Sequence, residues 1–452
     1  MLKLKADKFI FYIILLSTFY ILIYNIFHYS PILGYDGEAH INYVDFMAMY
    51  LPNKLVLPLA QDTREFFSPP VGYLFPSLAQ VVCRNVIISN NFASDCQPIY
   101  GKATQVFQSV LYIVTLLINL YTLKLINRSK SLINSGYLLL LSLLAVNYRT
   151  LSMIRGEPYI LFFMSIFILI IYKFSLNNFE YKFKNILFTG VIIALLALSR
   201  QWAFLLFLPI IILAVKPKLN FKFQHFKFWL SSSIIGALFS SWFYFNLYFR
   251  YGSFTSFNQA KPPFSFKNQP FDFYFPTIKQ IDYIFTSPIR PFLDNQFFGI
   301  LYADLWGDYW GYFSFTSRFL DVGRNQLLIG SYFSRVNVIS IFTTLLIIIF
   351  CYLSVKSFKN VYLVQFLKLA IFSSFFGYLM FSISFPENNG DTIKASYIIQ
   401  LFHLAVFLAS IYFQKLKTIN LRIYKLLLFF LTIIYIHNYQ TYLSHFPINF
   451  YP

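Results

Sequence analysis

Between Gly34 and Val44 the chain reads GYDGEAHINYV, with Asp36, Glu38 and His40 inside five positions directly after a long apolar run. Carboxylates can cap a helix, serve as a general base or ligate a hard cation. If a helix opens after Gly37, Asp36 stands at its N-cap, where its side chain would bond backbone N–H groups. On that helix Asp36, His40 and Tyr43 share one stripe, and Glu38, Asn42 and Asp45 another. Two carboxylates at a membrane boundary are costly without partners, which makes them functional candidates.

Four further stretches carry polar groups of the same kind. QDTREFFSPPVGYLFPSL brings Arg64, then Pro69 and Pro70, then an apolar amphipathic segment that reads as a re-entrant or interfacial helix. NYRTLSMIRGEPYI brings Arg155 and Glu157, with Pro158 at a permitted first-turn position and Glu157 at the positive end of a helix dipole. ALSRQWAF brings Arg200, for which snorkelling to the interface is the plain account. FPENNGDTIKASYIIQ brings Glu387, Asp391, Lys394 and Tyr397. In ADLWGDYWGYFSF, Asp304, Trp306, Asp308 and Trp310 could wall a sugar site or form an aromatic belt.

These residues must be positioned by membrane helices. Of 452 residues, 58% are hydrophobic and 12% charged, about half the charge of a soluble domain. The expected fold is an all-α polytopic membrane protein, one membrane-embedded domain over 1–452. Runs of about 20 apolar residues mark eleven spans: 9–27, 106–123, 132–147, 158–174, 186–199, 202–215, 228–249, 336–355, 364–384, 395–413 and 421–437. The fifth and sixth are short and share a break at Arg200–Gln201. The first lacks a small-residue cleavage site and reads as a retained anchor. Two long outer loops, 28–105 and 250–335, carry interfacial helices. The Pro- and Phe-rich part of the second, 261–292, reads as an ordered aromatic loop.

Lys and Arg cluster at the N-terminus (Lys3, Lys5, Lys8) and in alternate short connections: Lys124, Arg128 and Lys130; Lys173, Lys182 and Lys184; Lys216, Lys218, Lys222 and Lys227; Lys356 and Lys359; Lys415, Lys417, Arg422 and Lys425. This bias places the N-terminus in the cytoplasm and the C-terminus outside. Of the 17 acidic residues only Asp7 and Glu180 fall on the cytoplasmic side. Carboxylates contribute little to topology, so their concentration outside implies polar apparatus there. The net charge of +19 is cytoplasmic anchoring and contact with anionic membrane lipids. No soluble basic domain exists to bind nucleic acid. Cys351 reads as packing; Cys83 and Cys96 share the first outer loop, and their spacing leaves a disulfide open.

Taken together, these residues resemble the GT-C superfamily of polytopic glycosyltransferases, nearest in style to the protein O-mannosyltransferase and aminoarabinose-transferase families. The acidic motif of the first outer loop is matched by YDGEAHINYV through Asp36 and Glu38. A second acidic position at the start of the fourth span is matched by MIRGEPYI through Arg155 and Glu157. LSRQWAFLLFLP resembles the later basic turn through Arg200, and KASYIIQLFH the late basic-then-Tyr segment through Lys394 and Tyr397. SPPVGYL is similar to a paired-proline juxtamembrane segment, although Ser68 stands where relatives often carry Lys, with Arg64 as the substitute, and Gln400 replaces the late proline.

The resemblance implies a sugar transferred from a polyprenyl-phosphate donor to a lipid, glycan or protein acceptor at the outer face, with inversion. Asp36 would be the base and Glu38 the second choice. Arg64, Arg155, Arg200 and Lys394 would stabilise the leaving phosphate. Glu157 would orient hydroxyls; His40, Tyr397 and Asp308 would contact substrate. No cofactor is required by this reading; a divalent cation, Mg or Mn, at Asp36 or Glu38 is left open. The expected location is a bacterial inner membrane. The rival readings are a lipid-linked-sugar flippase or transporter and a polysaccharide polymerase or ligase. The spans show no inverted repeat and essentially no mid-depth charge, which argues against coupled ion transport.

Overall fold

A computed structural model describes residues 2–90, 95–128, 131–215, 223–255, 257–258, 262–314 and 322–444; Lys130, Lys216, Lys218, Lys222 and Phe315 lie outside them. The described residues form helices and connecting turns, with no strand. In chain order the helices are α1 (Leu2–His28), α2 (Gly37–Tyr50), α3 (Val71–Val82), α4 (Gln97–Ile126), α5 (Ser135–Ser142), α6 (Ala145–Ser152), α7 (Glu157–Leu176), α8 (Phe183–Ser199) and α9 (Phe204–Val215). They continue as α10 (Phe223–Tyr251), α11 (Phe271–Tyr274), α12 (Ile278–Thr286), α13 (Phe297–Trp306), α14 (Val322–Ser357), α15 (Tyr362–Ser384), α16 (Ile399–Ile419) and α17 (Leu421–His437).

Helices dominate because lipid offers no hydrogen bonds, so each span must satisfy its own backbone. Eight helical segments among the described residues are long and apolar enough to cross a membrane: 7–28, 71–88, 97–126, 157–176, 223–251, 329–357, 362–384 and 395–419. The chain is therefore a multi-pass helical membrane protein. Their outward faces carry exposed Phe, Ile and Leu, as at Phe27, Leu238 and Ile348. Inside, α8 packs on α10, α4 on α7 and α14 on α16. The segment 395–419 is the most enclosed, 83% buried, and so forms the centre against which the charged groups at its N-terminal end are held.

Two features depart from the sequence expectation. The run 132–147, read as one span, is broken between α5 and α6 at Leu143–Leu144. Side chains at the break replace the lost helical bonds: Asn147 donates to the Leu141 carbonyl at 3.0 Å and Tyr148 to the Ser142 carbonyl at 3.2 Å. Such satisfaction from within the protein is what lets a helix break at membrane depth. Second, α3 runs on through a π-helical turn, Cys83–Ile88, into an apolar segment long enough to cross. It was not among the eleven. Pro69 and Pro70 do stop the chain before it, but Pro76 is tolerated inside it. At the end of that segment Cys83 and Cys96 form a disulfide, Cα atoms 5.9 Å apart. Helix covers part or all of each of the eleven expected runs, and the break at Arg200–Gln201 is present, with α8 and α9 short on either side.

The helix ends divide into two sets. Asp7 near the start of α1 meets Lys417 at the end of α16, Tyr424 in α17 and Ser135 at the start of α5. The opposite end gathers the α1–α2 turn, the starts of α3 and α7, the end of α8 and the approach to α16. Backbone contact draws these last together. A Cβ added to Gly72 would lie 2.7 Å from the Gly156 Cα, and one on Gly156 would lie 2.5 Å from the Ser199 carbonyl oxygen. Only hydrogen fits at either position, so α3, α7 and α8 touch main chain to main chain. Gly156→Ala is expected to cost about 1–3 kcal/mol through overpacking, read as a lowered melting temperature in detergent. An unchanged melting temperature would disprove the close approach.

Candidate functional site

Asp36 is the N-cap residue of α2, yet its side chain makes no capping bond. Its φ of 59° is left-handed, a conformation that Asp tolerates better than most residues. The turn aims the carboxylate away from the α2 amides. Oδ2 instead accepts from the Tyr397 hydroxyl at 3.1 Å and from Lys394 Nζ at 3.3 Å. The helical stripes follow the 3.6-residue period: Ala39, His40, Tyr43 and Val44 are buried, whereas Glu38 and Asn42 face solvent.

Lys394 stands just before a 3₁₀ turn, Ala395–Ile398, that leads into α16. Its backbone is clamped by the Tyr378 hydroxyl, which accepts from Lys394 N at 2.6 Å and donates to the Lys394 carbonyl at 3.0 Å. The ammonium lies over three rings, Tyr35 at 5.0 Å, Tyr397 at 5.2 Å and Trp310 at 5.7 Å. Asp391 approaches it at 3.6 Å. Burial alone would lower the pKa of Lys394, but Asp36 and Asp391 outweigh it and raise the value, so the group is cationic. Burial likewise pushes Asp36 up, and here Lys394 and then Arg155 win, holding the carboxyl well below its usual range.

Arg155 is fully enclosed, stacked over the Tyr35 ring at 4.3 Å and donating to the Tyr35 carbonyl at 2.6 Å. Its Nε and Nη1 have no hydrogen-bond partner within the protein, a costly state for a buried cation. The segment is placed by two glutamines of α4. Gln105 donates to the Ser152 carbonyl at 2.7 Å, Gln108 to the Met153 carbonyl at 2.7 Å, and Gln108 accepts from Arg155 N at 3.2 Å.

Glu157, the first residue of α7, is completely buried and takes a forked contact from Arg200: Nε at 3.1 Å and Nη2 at 2.7 Å, both to Oε1. Oε2 has no partner. The third guanidinium nitrogen of Arg200, Nη1, donates to Ser68 Oγ at 2.7 Å and reaches Glu65 Oε2 at 3.4 Å. Ser68 in turn hydrogen-bonds Glu65. Arg200 also lies 5.8 Å from the Tyr397 ring, which links its cluster to that of Asp36. His40 hydrogen-bonds the Tyr73 hydroxyl at 2.7 Å. Burial, helped by Arg155 and Arg200, keeps it well below its usual pKa and neutral. Its 3.9 Å approach to Glu65 is therefore not an ion pair.

The structure thus brings Asp36, Lys394 and Tyr397 into direct contact, and Arg155, Glu157, Arg200 and His40 around them. Glu38 and Arg64 are exposed. Asp308 is buried in another role: Oδ2 accepts the amides of Phe313 and Ser314, and Oδ1 lies 3.7 Å from Arg149. Two participants, Glu65 and Arg149, escaped the sequence reading, and Asp304, named there as a sugar-site candidate, lies beside Lys394 instead. Glu65 sits one position after Arg64, in an irregular turn where no period marks the inward side. Arg149 pairs with Asp304 at 2.9 Å. Asp304 accepts from Ala395 N at 2.7 Å, beside Lys394. The signal for Arg149 was a charged residue in an otherwise apolar segment.

A cavity of about 470 Å³ opens on this cluster. Glu65, Ser68, Arg200 and Tyr397 line one part, Met380 and Phe381 another. Phe204 and Thr255 also line a second, largely apolar cavity of about 630 Å³ between α8, α9 and α10, so the two adjoin. Such a place takes a ligand with an anionic head and an apolar body. Asp36 faces an ammonium, Glu38 turns to solvent, and no cluster of three metal-ligating residues occurs among the described residues. Compared with family models, curated proteins and solved structures, the chain finds no match.

Proposed function

We propose that this protein is a membrane glycosyltransferase of the GT-C type, which moves a sugar from a polyprenyl-phosphate donor to an acceptor hydroxyl. The observation that carries the reading is the amphipathic cavity, where Arg200, Glu65, Ser68 and Tyr397 face an apolar wall, with Asp36 and Lys394 bonded to Tyr397 and Glu157 bonded to Arg200 behind that lining. In this reading the site lies on the outer face of a bacterial inner membrane, with the N-terminus cytoplasmic, as the Lys and Arg bias requires. The shorter helices α8, α9 and α17 and the broken pair α5–α6 would supply further crossings.

The donor phosphate would enter near Arg200 and Arg155; the Nε and Nη1 of Arg155, which lack a hydrogen-bond partner, would offer charge-assisted bonds to its oxygens. The prenyl chain would run from there into the apolar cavity between α8, α9 and α10. Phosphate is a competent leaving group and needs cations rather than a strong acid, which Lys394, Arg155 and Arg200 supply. The acceptor hydroxyl attacks the anomeric carbon as the bond to the phosphate oxygen breaks. Its proton passes to Asp36, and the electron pair leaves with the phosphate. One such displacement inverts the anomeric centre, as in base-assisted attack by inverting glycosidases.

Free, Asp36 is a weak base, because Lys394 and Arg155 stabilise its ionised form. A bound phosphate would draw on the same cations and cancel their pull, so Asp36 becomes more basic when the donor arrives. This yields a pH prediction. A carboxyl depressed in the free protein stays ionised as pH falls, so its acid limb in kcat/KM moves down. Activity as kcat/KM should hold from neutrality down to about pH 5. A carboxylate limb near neutral pH would count against Asp36 as the base.

The direct assay is incubation of the purified protein with lipid-linked sugar donors, following release of polyprenyl phosphate. Release that requires an acceptor supports the reading. Donor translocation without release would favour a flippase, and joining of lipid-linked oligosaccharides a polymerase or ligase.

A further inference from the structure

A second cavity system stands at the end of the helices opposite to the charged cluster. It encloses about 1070 Å³ between the start of α1, the end of α4, the end of α16 and the first half of α17. Its lining holds four cations, Arg128, Lys415, Lys417 and Lys425, against one carboxylate, Asp7. Asp7 is already committed, to Lys417 Nζ at 2.5 Å and to the Tyr424 hydroxyl at 3.0 Å. Arg128, Lys415 and Lys425 therefore leave a net positive mouth. Gln414 also lines the cavity, and its Oε1 is buried without a partner. Behind the mouth the walls are apolar, formed by Ile10, Ile126, Leu428 and Phe429. Phe429 and Leu421 are exposed on the outside of the bundle, so the cavity is flanked by the lipid-facing surface.

We infer that this cavity binds an anionic phospholipid, headgroup at the cationic mouth and acyl chains along the apolar wall. The charge pattern selects an anion, and the depth of apolar lining selects one that carries hydrocarbon; free phosphate would use only the mouth. Basic pockets between helix ends at a membrane surface recognise lipid headgroups in this way. The site is separated from the proposed transfer centre by the length of the helices and needs only that the chain span a membrane, so it stands or falls independently of the transferase reading.

The test is native mass spectrometry of the full chain in a neutral detergent, titrated with phosphatidylglycerol or with phosphatidylcholine. Phosphatidylglycerol should be retained about tenfold or more in preference. Replacing Arg128, Lys415 and Lys425 by Gln should weaken its retention by about fivefold per charge and leave phosphatidylcholine unchanged. Lys425→Gln alone, at an exposed position, gives the same reading at smaller amplitude should the triple variant fail to fold. Equal retention of the two lipids, or an undiminished preference in Lys425→Gln and the triple variant, would overturn the inference. Complete displacement of phosphatidylglycerol by excess inorganic phosphate would also overturn it, because the site would then recognise an anion without its lipid.

Discussion

Asp36→Asn is expected to lower sugar transfer by about 10²- to 10⁴-fold, the usual weight of a positioned general base, with the protein still inserted and folded. The substitution keeps the shape of the side chain and an oxygen that accepts from Tyr397. It removes the charge opposite Lys394 and the capacity to take a proton. Stability should change little for two reasons. The Asp36 side chain is 28% exposed, and Lys394 keeps a second carboxylate, Asp391, at 3.6 Å. The measurement is polyprenyl-phosphate release by the purified variant beside its melting temperature. Near-normal transfer would mean that another group accepts the proton.

Arg200→Ala should be the most damaging single change to stability at the site, at about 3–5 kcal/mol. Arg200 donates two hydrogen bonds to the fully buried Glu157, which Arg155 approaches only at 3.9 Å, and its Nη1 also bonds Ser68 and approaches Glu65. Removing it strands carboxylates that are 0% and 4% exposed. Arg200→Lys should recover only part of the loss, because an ammonium cannot reproduce the fork through Nε and Nη2. Glu157→Gln combined with Arg200→Met should be more stable than Arg200→Ala, since it removes the stranded charge rather than exposing it. Thermal unfolding in detergent orders the four proteins. Equal melting temperatures for wild type and Arg200→Ala would show that this network does not hold the fold.

The candidate site was legible wherever a residue type was itself unusual for its surroundings. Asp36, Arg155, Glu157, Arg200 and Lys394 stand out because charge beside an apolar run demands a partner. Glu65 did not stand out from Arg64: both are charged, adjacent and in a turn, and only the folded chain shows that one is buried against Arg200 while the other faces solvent. Glu38 shows the converse. Its spacing from Asp36 suggested a pair, but two positions along a helix point in divergent directions, and α2 carries Glu38 outward. The break between α5 and α6 was hidden for a related reason. A run of leucines carries no breaking signal, and the break depends on Asn147 and Tyr148 reaching back to carbonyls.

From the amino-acid order alone came the membrane-helix class and the apolar runs that helix covers. These are local properties: apolar length sets a span, and helical period sets which face of α2 is buried. The tertiary structure decided which charges are partners. Asp36 and Lys394 are 358 positions apart, and Glu157 meets Arg200 across 43. No local rule specifies such pairs. They form because glycine contacts between α3, α7 and α8 let the backbones approach, and because a buried charge is stable only where packing delivers its counter-charge.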